Sequence, residues 1–95
     1  MRQTKILEKA QNQELFLLDV RTKEEYNQGF IPTATLLPLD ELLKENFKGL
    51  PKDVLICVYC RSGRRSGIAK KILKKAGYKV KNIGGILSWK LDITR

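Results

Sequence analysis

The sequence predicts an α/β domain in which a mainly parallel β-sheet is covered by helices on both faces. Three observations carry that expectation. Leu15–Val20 and Val54–Tyr59 are continuous apolar runs of strand length, the pattern of strands buried on both faces. Ile68, Ala69, Ile72, Leu73 and Ala76 fall on one face at helical spacing. Strands alternating with helices imply parallel pairing through crossover helices.

The elements follow in order. After the Leu15–Val20 strand, Thr22 and Glu25 have capping-box spacing, so a short helix is expected there, ending near Gly29. Ile31-Pro32 restarts the chain in an extended conformation. A short strand is expected near Thr35–Leu37, then a helix capped by Asp40 and running to about Phe47. Gly49 and Pro51 mark a loop before the Val54–Tyr59 strand. The helix carrying Ile68 to Ala76 has Gly77 where a C-terminal cap belongs. Lys79–Asn82 is a short strand candidate, and Gly84-Gly85 leads into a last helical turn around Trp89.

The 95 residues make one domain, residues 1–95, with no repeat, low-complexity segment or linker. A hydrophobic content of 42% against 31% charged suits a globular protein and argues against disorder. No apolar run is long enough to span a membrane. Met1–Lys5 opens a polar segment without a hydrophobic signal region, so the chain as written reads as cytoplasmic; it would be periplasmic if a signal peptide were removed before Met1. Two cysteines cannot build the disulfide framework of a small secreted domain. Histidine is absent, which removes Ser-His and Cys-His catalytic pairs and histidine-based zinc sites. No feature calls for a metal or organic cofactor.

The net charge of +9 is unevenly placed. Val54 to Leu91 contains no acidic residue and ten basic ones, from Arg61 to Lys90. Singly, the lysines read as a solvated helix face; together they create a field that draws small anions or an acidic protein partner. No aromatic platform or recognition motif accompanies the charge, which argues against nucleic acid.

Ligands of parallel sheets bind beyond the carboxyl ends of the strands, and Cys60 stands at such an end. The loop Cys60-Arg61-Ser62-Gly63-Arg64-Arg65-Ser66 joins strand to helix. A helix N-terminus offers unpaired N–H groups and a positive dipole end, and a tight loop can curl further N–H groups inward to cradle an anion. Gly63 permits the backbone angles such a curl needs. Ser62 and Ser66 add hydroxyl donors, and Arg61, Arg64 and Arg65 add fixed charge. Both helix terminus and arginines favour the thiolate of Cys60, making it a nucleophile aimed at an anion. The bland alternative, a buried cysteine beside surface arginines, does not account for so many donors in one loop.

That loop resembles the Cys-Arg-Ser-Gly-x-Arg-Ser sequence of single-domain rhodaneses. Leu17-Leu18-Asp19-Val20-Arg21 with Glu25-Tyr26 resembles the family's first signature. Gly29-Phe30-Ile31-Pro32-Thr33-Ala34 is similar to its Gly-His-Ile-Pro-Gly-Ala segment, and Gly84-Gly85 with Trp89 to its ending. The segments occur in family order across nearly the whole chain.

The resemblance implies a rhodanese-like doubly wound α/β fold around a five-stranded, mainly parallel sheet, although no strand-like run precedes Leu15. It implies a sulfurtransferase: Cys60 takes the outer sulfur of thiosulfate or a similar donor as a persulfide, then yields it to a thiol or cyanide. Arg65 and Arg61 would offer charge to the donor, Ser62 to Ser66 would form the cradle, and Asp19 and Arg21 would brace the fold near the site. Phe30 replaces the usual histidine and Thr33 the usual glycine, for which altered packing rather than lost activity is expected.

Three rival readings compete with it. Phosphatases of a related branch place arginine at the sixth position after the nucleophile; here that position is Ser66 and Arg65 is the fifth, a cradle too short for phosphate. A non-catalytic binding module usually lacks the cysteine, which is present here. A persulfide carrier docking through its basic surface is compatible with the enzyme. Cys57 and Cys60 form a Cys-x-x-Cys spacing, but Cys57 lies within an apolar strand and reads as a core residue.

Overall fold

We describe the chain from a computed structural model covering all 95 residues. Its elements are α1 (Gln3–Gln11), β1 (Leu15–Asp19), α2 (Lys23–Gln28), β2 (Thr35–Leu36), α3 (Leu39–Leu43), β3 (Leu55–Cys60), α4 (Arg64–Lys75) and β4 (Val80–Gly85), followed by a 3₁₀ turn at Ile86–Ser88. The strands form one sheet in the order β2-β1-β3-β4, and every pair is parallel. The two apolar runs become the adjacent central strands β1 and β3, buried from both sides.

Alternation along those strands builds two cores. Leu18, Val20, Ile56, Val58 and Cys60 face α3 and α4, where Leu42, Ala69 and Leu73 meet them. Leu15, Leu17, Cys57 and Tyr59 face the other way, against Ile6 and Ala10 of α1, Ile31 and Ala34. The C-terminal Ile86 and Trp89 pack on this second core. Helices thus cover both faces, as a doubly wound sheet requires. No helix is long and apolar enough to cross a membrane.

Several local expectations hold. Thr22 and Glu25 form the reciprocal capping box that starts α2, and Gly77, at φ 98°, turns the chain out of α4. Others need correction. The sheet has four strands rather than five, because the N-terminal segment forms α1, whose Ile6 and Ala10 lie a helical turn apart. Asp40 does not cap α3: Pro38 precedes the helix, and Asp40 and Glu41 occupy its first turn. The helix stops at Lys44, short of Phe47, as Glu45 takes a left-handed conformation at φ 59°.

The two departures at positions 30 and 33 have separate outcomes. Phe30 stacks on Tyr26, ring centroids 4.1 Å apart and 6° from parallel. Thr33 instead holds a positive φ of 75°, so its departure is a matter of backbone strain.

Candidate active site

β3 ends at Cys60 and α4 begins at Arg64, so the curl of the loop is confined to Arg61, Ser62 and Gly63. Gly63 sits at the helix N-cap with φ 101°, a left-handed conformation that swings its N–H back onto Cys60. That N–H donates to Cys60 Sγ at 3.0 Å. The opposite wall is the end of β4. A Cβ on Gly85 would stand 2.1 Å from the Arg61 carbonyl oxygen, so only glycine lets the two backbones meet. The Leu87 N–H donates to the same carbonyl at 3.3 Å.

Cys60 is buried at 1% exposure, on the floor of this bowl. The fully buried Ser66 places its hydroxyl 3.5 Å from Sγ. Burial is the largest influence on the thiol and acts against its ionisation. Hydrogen bonds from the Ser66 hydroxyl and from the backbone of Ser66, Gly63 and Ser62 outweigh it, and the thiol is held below its ordinary value. The principal stabilisers are therefore donors of the loop, with arginine charge contributing less than the sequence suggested.

The arginines divide into two groups. Arg61 and Arg64 are exposed at the mouth, as is Ser62. Arg65 turns sideways to Glu25 of α2, donating Nη1–H to Oε1 at 2.7 Å and Nη2–H to Oε2 at 2.9 Å. The expectation that Arg65 offers its charge to a donor thus meets a competitor within the chain. Asp19 and Arg21 form a buried pair: the carboxylate accepts from the Arg21 backbone N–H, Nε and Nη2, and Nη2 also donates to the Gly29 carbonyl at 2.7 Å. This ties the end of β1 to the end of α2. Beside the bowl lies a depression of about 610 Å³, lined in part by Arg21, Leu87, Trp89 and Arg95.

Cys57 is three residues before Cys60 on the same strand, so the two thiols project from opposite faces of the sheet. Burial raises the Cys57 thiol, with Lys81 acting weakly the other way. A redox pair between them is ruled out by this geometry. Sequence reasoning missed two residues that shape the bowl, Glu25 as the partner of Arg65 and Asn82, which reaches from β4 into the loop. The capping-box spacing and the resemblance to the family's first signature both mark Glu25, neither as the partner of Arg65.

The sequence profile of the rhodanese-like domain matches residues 3–92. The chain belongs to the rhodanese-like family. Among its rhodanese-like relatives, a sulfurtransferase of Allochromatium vinosum is 42% identical over 82 residues, spanning 84% of this chain and 76% of that protein. The thiosulfate sulfurtransferase PspE of Escherichia coli is 41% identical, spanning 73% of this chain and 68% of its own length. A rhodanese-related protein from Thermoplasma volcanium superposes with a TM-score of 0.83 at 28% identity, over 99% of this chain and 95% of that one. Sulfurtransferases are thus among the members most similar to this chain.

Proposed function

We propose that this chain is a thiosulfate sulfurtransferase working through a persulfide on Cys60. The supporting observation is the thiol itself: it lies at a helix N-terminus, accepts from Gly63 and Ser66, and is held below its ordinary value. The Cys60 thiolate attacks the outer sulfur of thiosulfate. An Sγ–S bond forms, the sulfur–sulfur bond of the donor breaks, and its electron pair leaves with sulfite. In the second half, an acceptor thiolate or cyanide attacks the outer sulfur of the persulfide, and the electron pair of the broken bond returns to Sγ. No external oxidant or reductant is needed.

The side chains take distinct parts in this reading. Arg61 and Arg64, exposed at the mouth, draw the anionic donor in. The N–H groups of Ser62, Gly63 and Ser66 hold the persulfide. Arg65 is kept in place by Glu25, and Asp19 with Arg21 anchors the neighbouring strand end. An acidic protein thiol would suit the basic run from Arg61 to Lys81 as acceptor. We assign the reaction to the cytoplasm, whose reducing conditions keep Cys60 free.

The test is intact mass after incubation with thiosulfate, for the parent protein and Cys60→Ser. The expected result is a gain of about 32 Da, one sulfur on the nucleophile, absent in the variant and reversed by cyanide. No gain with thiosulfate or polysulfide, in protein shown to be folded and reduced, overturns the proposal in favour of a binding module.

A further inference from the structure

The hydrogen bonds that shape the Cys60 loop converge on one side chain outside it, Asn82 of β4. Its Oδ1 accepts from the Ser66 hydroxyl at 2.8 Å and from the Gly84 N–H at 2.9 Å. Its Nδ2 donates to the Gly63 carbonyl at 3.2 Å. A backbone donor at one end of the amide and a backbone carbonyl at the other fix which way round it lies.

Two consequences for the sulfur follow. Gly63, whose N–H points at Sγ, is latched through its own carbonyl. Ser66 has one hydroxyl proton and three acceptors within reach: Asn82 Oδ1 at 2.8 Å, Gly84 O at 3.4 Å and Cys60 Sγ at 3.5 Å. The shortest contact draws the proton to Asn82 while the sulfur is neutral. A sulfur that gains negative charge becomes the stronger acceptor, because charge-assisted bonds are roughly twice as strong as neutral ones.

We infer that Asn82 is a positioning residue for Cys60, latching the Gly63 N–H onto the sulfur and holding the Ser66 hydroxyl ready to turn to it. The charged groups near the bowl do other work. Arg65 of α4 is engaged with Glu25 of α2, and Asp19 of β1 with Arg21. Arg61 and Arg64 face solvent, and Lys81, the other polar side chain of β4, lies by Cys57 on the far face. None of them hydrogen-bonds Sγ, which accepts from the Ser66 hydroxyl and from the backbone of Ser62, Gly63 and Ser66; Asn82 holds two of those donors, the Ser66 hydroxyl and the Gly63 N–H.

The experiment titrates Cys60 by its alkylation rate against pH in Asn82→Leu, Asn82→Asp, Ser66→Ala and the Asn82→Leu/Ser66→Ala double variant, with thermal unfolding in parallel. Asn82→Leu keeps similar bulk and removes all three bonds; its thiol midpoint should rise by about one unit, a ten-fold change in the ionisation constant. Asn82→Asp should raise it at least as far, since it loses the donor to Gly63 and adds negative charge. The double variant's shift should differ from the sum of the singles, because Asn82 and Ser66 share one hydrogen bond. A purely structural Asn82 would lower the unfolding temperature and leave the midpoint alone. A folded Asn82→Leu with the parent's midpoint, or strictly additive shifts, overturns the inference. If Asn82→Leu does not fold, an unshifted Asn82→Asp does so. The titration needs no sulfur donor, so the inference can fail while persulfide forms, or stand while none does.

Discussion

Glu25 and Arg65 lie 40 residues apart in sequence and meet in a two-pronged bridge at 2.7 and 2.9 Å. One carboxylate thereby caps α2, through Thr22, and clamps the first turn of α4, where the Cys60 loop ends. The hydrogen bonds to Arg65, chief among several causes, hold its carboxyl at about 2, down from 4.5. A carboxylate whose folded value is depressed stabilises above its unfolded value and loses that contribution as pH falls through the folded one. Glu25→Gln retains an acceptor for Thr22 and removes the charge. The bridge is partly exposed, so the expected loss is about 1 kcal/mol at neutral pH. Urea unfolding should show that loss shrinking from about pH 4.5 down to about 2; a difference that stays constant across this range would exclude the bridge as its source.

The two cysteines should react very differently. Both thiols are buried, but the donors of the loop hold Cys60 below its ordinary value, whereas burial without such donors raises Cys57. Iodoacetamide on native protein should label Cys60 alone, with Cys57 labelled only after unfolding, as peptide mapping would reveal. Cys57→Val, a volume-conserving change in an apolar strand, should cost under about 1.5 kcal/mol and leave sulfur uptake intact. Loss of uptake in a folded Cys57→Val protein would give Cys57 a part in the chemistry.

Two glycines that border the loop predict opposite outcomes. Gly85→Ala would drive a Cβ to 2.1 Å from the Arg61 carbonyl oxygen, a backbone atom that cannot yield without moving the loop. Sulfur uptake should fall by at least about ten-fold, equivalent to about 1.4 kcal/mol of barrier. Gly67→Ala, inside α4, meets nothing closer than Asn82 Nδ2 at 3.6 Å. It should raise stability by up to about 1 kcal/mol through helix propensity. Parallel melts and sulfur-uptake rates for the two variants decide both points.

Thr33 carries a β-branched side chain at φ 75°, on an exposed turn. Left-handed geometry costs such a residue about 1–2 kcal/mol, part of which glycine would return as unfolded-state entropy. Thr33→Gly should therefore raise stability by about 0.5–1 kcal/mol with activity unchanged. A lower unfolding temperature would mean that the hydroxyl or methyl makes a contribution larger than the strain.

What was legible in the sequence was what local pattern encodes. The runs around Leu17 and Val58 read as buried strands because burial on both faces leaves no polar alternation, and the Cys60 loop is legible because its donors are consecutive. α1 was missed: Ile6 and Ala10 are its only buried residues, too faint a stripe to rise above a polar segment. The assignment of Arg65 to the donor rests on the family resemblance, and its partner Glu25, 40 residues away in another helix, left no local signal. Asn82 looked like any polar residue near a strand end, since its contacts reach Gly63 and Ser66, 19 and 16 positions away. Periodicity reports which face a residue occupies; it carries no information on what a polar group will find there.

Cys57 and Cys60 project from opposite faces of a strand that lies between two others. If Cys60 carries a sulfur as proposed, Cys57 cannot resolve it into a disulfide, a path that would destroy the carrier state by ejecting hydrosulfide. Departure would then need a visitor. The residence time of that sulfur would be set by how often a competent acceptor arrives, so the loaded protein would behave as a reservoir whose drain is opened from outside.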